Sequence, residues 1–315
     1  MPYDRHRNAR KRFTKTNPLE IRLMRKHRNL WRQSQASRTM IAGVALAFAL
    51  TSLPAGAQSF FNTVKTKLAE GRQVVGGTVS SADVDIYCAM AGAGFDFLWI
   101  EMQHSPLTYA QVATMIRACP GPAIPFIRVP DATEGDIQKA VDIGALGVIV
   151  PMVDTVEKIE DAITFAMYPP LGKRSQGGGQ YGALWGRNYR EQANDNIMIV
   201  AMIENPQGVE IVDEIAGLEH VDAVFAASTD LSSFSGLRQG DPAYEALVTR
   251  IKDATLAAGK YLAGPLAWKD TREGYTFFQG APESALIRSG AQQSLRGSNA
   301  NESTPRGVAP TEGSE

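Results

Sequence analysis

Four apolar runs in this 315-residue chain end in residues able to do chemistry. Phe97-Leu98-Trp99-Ile100 runs into Glu101, with Gln103 and His104 just beyond. Ile124 to Ile127 ends at Arg128, Met202-Ile203 ends at Glu204, and Ala223 to Ala227 leads through Ser228 and Thr229 to Asp230. Two carboxylates with open positions, Glu204 and Asp230, suit a hard divalent cation such as Mg²⁺ or Mn²⁺, with water and substrate oxygens completing its shell. Arg128 offers the planar donor fork that binds a carboxylate or an oxyanion, and it could also pair with Glu101 or Glu204. Imidazole is the usual proton carrier near neutral pH. Of the four histidines, His6 and His27 lie in a basic leader and His220 precedes a strand, which leaves His104 as the candidate. Glu101 could orient that imidazole or bind a metal through water.

These residues share a rim only if the runs are parallel strands. From Val74 the chain alternates β-rich runs with longer amphipathic stretches. The expected strands are 74–79, 95–101, 124–129, 147–153, 198–204, 223–227, 261–266 and 275–279. Most are near-continuously apolar, as parallel strands covered on both faces are. The expected helices include 110–118, 134–143, 156–167, 208–215 and 244–258. Eight such units point to an α/β fold, a single (β/α)8 TIM barrel, whose catalytic groups come from the C-terminal strand ends. A doubly wound open sheet would want a Gly-x-Gly-x-x-Gly turn after the first strand, and none is there. The connection Tyr168 to Tyr181 is long, polar and glycine-rich (Gly177-Gly178-Gly179). It is expected over the rim after strand four, as a lid or substrate-facing loop.

The composition is that of a globular protein, with 44% hydrophobic and 21% charged residues. The net charge of -1 hides an asymmetry: residues 1–39 hold 12 Lys/Arg against 2 Asp/Glu, leaving 20 against 31. The acidic body argues against nucleic acid as a partner. The basic leader, the apolar run from Met40 to Leu53 and Ala55-Gly56-Ala57 make the three parts of a secretory signal. Export to the periplasm with cleavage after Ala57 is expected, or retention as an uncleaved anchor, with membrane contact only through this segment. Residues 1–57 are thus leader, 58–294 the barrel, and 295–315, rich in Ser, Asn, Gly, Pro and Glu, a disordered tail. Cys88 and Cys119 sit in helix-like apolar surroundings and read as two small buried residues rather than a disulfide.

From about Phe60 to Gly290 the chain resembles the HpcH/HpaI aldolases, the metal-dependent class II pyruvate aldolases. The matching stretches are Phe97–His104, Pro125–Pro130, Gly144–Met152, Tyr168–Arg174, Met202–Glu204 and Asp222–Ser232. The resemblance implies that Glu204 and Asp230 hold a divalent metal (Mg²⁺ or Mn²⁺, with Co²⁺ an option). It implies that Arg128 contacts the pyruvyl oxygen and that His104 with Glu101 is the acid/base pair. Gln103 would touch substrate or water, and backbone N–H groups around Ala227 and Ser228 would hold the substrate carboxylate. A homo-oligomer is also implied. The sequence departs from the family at Glu101, where Asp is usual, and at Gln103, Ser105-Pro106, Met202 and Ala227.

The expected reaction is reversible cleavage of a 4-hydroxy-2-oxo acid to pyruvate and an aldehyde. A Schiff-base route would need a desolvated lysine at a strand end. Only Lys269, after strand seven, is placed for it. The alternatives are another metal-enolate lyase or decarboxylase acting on an oxo acid, and an exported binding barrel that has lost turnover.

Overall fold

The computed structural model describes residues 61–302. The leader, the signal segment and the end of the tail lie outside the described residues. Eight strands form a closed barrel in sequence order, all parallel, β8 closing on β1. They are β1 (Val74–Val79), β2 (Phe97–Glu101), β3 (Ile124–Arg128), β4 (Gly147–Val150), β5 (Met198–Ile203), β6 (Ala223–Ala226), β7 (Tyr261–Pro265) and β8 (Tyr275–Pro282). A short helix α1 (Thr63–Ala69) precedes β1. Helices α2 (Val84–Gly92), α3 (Tyr109–Ala118), α4 (Glu134–Asp142) and α5 (Val156–Ala166) follow the first four strands. Each begins where a side chain replaces a missing backbone partner: Asp83, Thr108, Thr133 and Thr155 each accept from a first-turn N–H. At Thr108 the Gln111 side chain returns the bond, a full capping box.

The later connections are less regular. Two short helices, α6 (Tyr181–Trp185) and α7 (Tyr189–Asn196), come before β5. Where one helix was expected over 208–215, α8 (Pro206–Glu210) and α9 (Val212–Gly217) follow β5. The segment after β6 forms α10 (Ser228–Ser235) and α11 (Pro242–Ala257). Only one 3-10 turn, Leu266–Trp268, links β7 to β8. The last helix, α12 (Glu283–Glu302), continues eight residues into the segment expected as tail.

Alternation along each strand decides what fills the barrel and what reaches its rim. On β2, Phe97, Trp99 and Glu101 are on one face, and on β3 so are Phe126 and Arg128. Phe97, Phe126 and Phe277 pack with ring centroids 4.4 to 5.7 Å apart. Trp99 meets Phe225 at 5.2 Å. The rings need room from neighbouring strands, which glycine supplies. A Cβ on Gly76 would fall 2.1 Å from Phe97, and one on Gly147 1.9 Å from Phe126. The next inward residues on β2 and β3 are Glu101 and Arg128, so the aromatic filling is the platform of the site.

The Tyr168 to Tyr181 segment does not cover the catalytic rim. It follows α5, so it runs to the N-terminal end of β5. There Gln180 Nε2 donates to Ile143 O at 2.6 Å, and Trp185 Nε1 to Gly144 O at 3.0 Å, both in the turn before β4. Arg174 anchors the segment, with its side chain fully buried. It pairs with Asp142 at 2.7 Å, donates to the Tyr189 hydroxyl at 3.0 Å, and lies 4.4 to 5.5 Å from the Tyr168, Tyr181 and Tyr189 ring centres. The glycines of this segment therefore lie toward the N-terminal end of the barrel, away from the catalytic rim.

Cys88 and Cys119 form a disulfide, with 5.4 Å between their Cα atoms. The expectation of two separate buried thiols fails because both are only half-buried, on the helix layer rather than in the core. Cys88 lies on α2 and Cys119 is the C-cap of α3, so the bond staples neighbouring helices. It closes a loop of sequence separation 31, for which lost chain entropy in the unfolded state gives about 2–4 kcal/mol. Reduction, or a Cys88→Ser/Cys119→Ser double variant, is expected to lower stability by about that amount in urea unfolding. An unchanged unfolding midpoint would contradict the staple.

Candidate active site

The C-terminal ends of β2, β3, β5 and the start of α10 bring Glu101, Arg128, Glu204 and Asp230 to one end of the barrel. Glu101 and Arg128 face each other in register on adjacent strands. The Glu101 Oε2 accepts from Arg128 Nε at 2.5 Å and from Nη2, and Trp99 Nε1 donates to the same oxygen at 3.3 Å. Its Oε1 accepts the backbone N–H groups of Gln103 at 2.8 Å and His104 at 3.0 Å. Both oxygens are therefore engaged, and neither bonds the imidazole. The expected Glu101–His104 side-chain pair is replaced by a different arrangement. Glu101 holds the Arg128 guanidinium on one side and the turn carrying His104 on the other. The extra methylene relative to Asp extends the carboxylate toward the arginine.

Held this way, Arg128 keeps one nitrogen for other work. Nη1 meets only the Met202 sulfur, at 3.9 Å, and a thioether is a weak acceptor. An oxyanion arriving there would gain a charged donor whose direction is already set. The His104 side chain is exposed and lines a cavity of about 770 Å³ that also reaches Arg128, Thr78, Ser80 and Gln279. The Gln103 side-chain oxygen is buried without a hydrogen-bond partner among the described residues, turned away from bulk water.

Glu204 is 2% exposed. The backbone N–H of Met152 donates to its Oε2 at 2.6 Å. Met152 reaches that position with φ at 51°, in the left-handed region, where a non-glycine residue carries a cost of about 1–3 kcal/mol. No Lys, Arg or His lies within ion-pair distance of Glu204 or Asp230 among the described residues. Burial pushes the Glu204 carboxyl up to about 7, and the charge of Asp230 adds to the rise; the Met152 N–H and the positive charges of Arg128 and Lys158 oppose it. Two close acids, one deeply buried and neither neutralised, fit a divalent cation, which keeps several waters and takes one or two carboxylates. They form no cluster of three or more candidate ligands among the described residues, so a bound ion would draw its other ligands from water or substrate.

Asp230 does not end a strand. It sits in the first turn of α10, whose N-cap Ala227 supplies no side-chain bond. The Ala227 N–H donates to Ile203 O at 3.1 Å, continuing the β5–β6 ladder, so it is not free for a substrate carboxylate. Ser228, the first helical residue, is the one of the pair whose N–H has no partner within the helix. Lys269 borders a surface hollow with Gln73 and Tyr275, at the N-terminal side of β1 and β8, away from Glu204. His220 lies in the turn before β6, on that same side. Sequence reasoning missed Trp99 and Met152, which position Glu101 and Glu204. Trp99 was open to discovery as the inward residue two before Glu101, whereas nothing in Pro151-Met152-Val153 signals a left-handed backbone.

The raised Glu204 carboxyl gives a stability test in metal-free protein. A carboxyl raised from 4.5 to about 7 contributes fully below pH 4.5, and the contribution is lost as pH rises through 7. Glu204→Gln keeps the acceptor for Met152 and removes the charge. In urea unfolding with chelator, the variant is expected to be more stable than wild type at pH 8, on the order of 2–3 kcal/mol, and equal to it near pH 4.5. An equal effect at both pH values would contradict a desolvated carboxylate.

The sequence and the fold have counterparts among known proteins. The sequence profile of the HpcH/HpaI aldolase/citrate lyase family matches residues 78–270. The chain is 32% identical over 242 residues to the hydroxypyruvate/pyruvate aldolase of Rhizorhabdus wittichii, covering 74% of this chain and 96% of that protein. It is 33% identical over 223 residues to the 2-keto-3-deoxy-L-rhamnonate aldolase of Salmonella gallinarum, covering 66% of this chain and 84% of that protein. Among solved structures, an HpcH/HpaI aldolase/citrate lyase family protein from Burkholderia cenocepacia aligns with a TM-score of 0.69 at 26% identity, over 76% of this chain and 99% of that one. On this profile match, these relatives and the shared barrel, the chain belongs to the HpcH/HpaI aldolase/citrate lyase family.

Proposed function

We propose that this chain is a class II aldolase that reversibly cleaves a 4-hydroxy-2-oxo acid to pyruvate and an aldehyde. The observation that carries the reading is the buried Glu204 with the half-buried Asp230 near it, neither in an ion pair among the described residues, and an arginine with one nitrogen unclaimed by any anion. Glu204 and Asp230 would hold Mg²⁺ or Mn²⁺, which supplies Lewis acidity for the developing enolate.

The protein's own groups do the rest. Cleavage removes the 4-hydroxyl proton, breaks C3–C4, leaves the electron pair in the enolate of pyruvate, and ends when C3 takes up a proton. Arg128 Nη1 stabilises the negative charge on the 2-oxo oxygen, from a position fixed in advance by Glu101. The His104 imidazole, at the cavity mouth, takes the hydroxyl proton. The Ser228 N–H, at the uncapped start of α10, receives the substrate carboxylate. Glu101 acts through Arg128 and the 103–104 backbone rather than as a proton carrier.

An oxidising compartment fits the Cys88–Cys119 bond and the signal expected in the leader, so we place the enzyme outside the cytoplasm. Association into a homo-oligomer follows from the family resemblance.

Retro-aldol activity is expected to vanish on EDTA treatment and return with Mg²⁺ or Mn²⁺. Full activity after chelation would remove the metal from the reaction. His104→Ala is expected to lower kcat about 10²–10⁴-fold, and Arg128→Lys about 10²–10³-fold, in a coupled pyruvate assay. Release of CO₂ from an oxo acid in place of an aldehyde would point to a decarboxylase, and metal-dependent binding with no product to a binding barrel.

A further inference from the structure

The cavity extends from Arg128 away from Glu204, toward β1 and β8. Two polar residues meet there. Thr78 is two residues beyond Gly76 and Gln279 two beyond Phe277, so alternation aims both inward, above the aromatic filling. The Thr78 hydroxyl donates to Gly280 O at 2.9 Å. Its one proton is then committed, so toward Gln279 it can only accept, and Gln279 Nε2 lies 3.4 Å away. That fixes which way the amide faces. Its carbonyl oxygen is left without a protein partner among the described residues, in a half-buried side chain bordering the cavity. Beside it, Pro265, its register partner on β7, and Leu266 supply apolar wall.

We propose that this corner receives the aldehyde end of the substrate and that Gln279, oriented by Thr78, accepts a hydrogen bond from a hydroxyl on it. The preferred aldehydes are then hydroxylated ones, such as glycolaldehyde or glyceraldehyde, rather than plain alkyl aldehydes. An alkyl chain would strip water from the amide oxygen and return no donor. A hydroxyl replaces that water. Sites built around a substrate hydroxyl discriminate strongly against analogues lacking it. The space suits more than a two-carbon fragment, since about 770 Å³ is in the range of pockets that enclose whole small ligands. This specificity rests on the aldolase reading above.

The test is aldol addition of pyruvate to glycolaldehyde, glyceraldehyde, acetaldehyde and propionaldehyde by the metal-loaded full chain. Wild type is expected to favour hydroxylated aldehydes in kcat/KM by about tenfold to a hundredfold. Gln279→Leu should bring that ratio to within about threefold of unity, and Thr78→Val, which removes the orienting hydroxyl, should lower it part of the way. The ratio within each variant controls for the aldehydes' own reactivity. If Gln279→Leu does not fold, the Thr78→Val ratio decides. A wild-type ratio near one, or an unchanged ratio in folded variants, would overturn the proposal. Deuterium exchange at pyruvate C3 in wild type separates the two levels. Exchange without aldehyde preference overturns the specificity alone, whereas no exchange overturns the aldolase reading and the specificity with it.

Discussion

The ion pair between Glu101 and Arg128 organises the rim of this barrel. It joins two strands in register and ties down the Trp99 indole below and the 103–104 backbone above. With Glu101 5% and Arg128 8% exposed, each would be a costly buried charge alone. The donors around Glu101 exceed what one arginine provides, so the carboxylate is well satisfied. What remains is the asymmetry that matters for chemistry: one guanidinium nitrogen faces a thioether, not an anion. A charged donor held in place before substrate arrives needs no reorganisation when charge develops.

The second acid has the opposite character. Glu204 is as buried as Glu101 and has one backbone N–H, no paired cation, and Asp230 nearby. A fold would not retain such a group for stability, since the raised carboxyl marks an unfavourable environment for charge. Met152 adds to the cost by taking a left-handed backbone to deliver its N–H. Strain and desolvation at one carboxylate are understandable where a cation is to be bound, and perturbed groups of this kind cluster at functional sites.

Much of this was legible in the sequence because a barrel strand is apolar on both faces until it ends. The runs ending at Glu101, Arg128 and Glu204 announce both the strands and their polar tips. The signal fails where long-range partners decide. The family resemblance pairs Glu101 with His104 as acid and base, yet the Glu101 oxygens go to Arg128 and to backbone. The glycine-rich segment reads as a lid or substrate-facing loop, but one helix between it and β4 sends it to the opposite face, where Arg174 is enclosed by three tyrosines. The cysteines read as two small buried residues among apolar neighbours, because only the packing of adjacent helices brings their Cα atoms to 5.4 Å.

The most direct measurement is Mn²⁺ titration of the metal-free full chain, followed by electron paramagnetic resonance, for wild type, Glu204→Gln and Asp230→Asn. The expected result is one tight site per wild-type chain, weakened at least about a hundredfold in each folded variant, with proton competition lowering the affinity below pH 7. Tight binding that survives both substitutions would contradict the assignment of these two carboxylates as the metal centre.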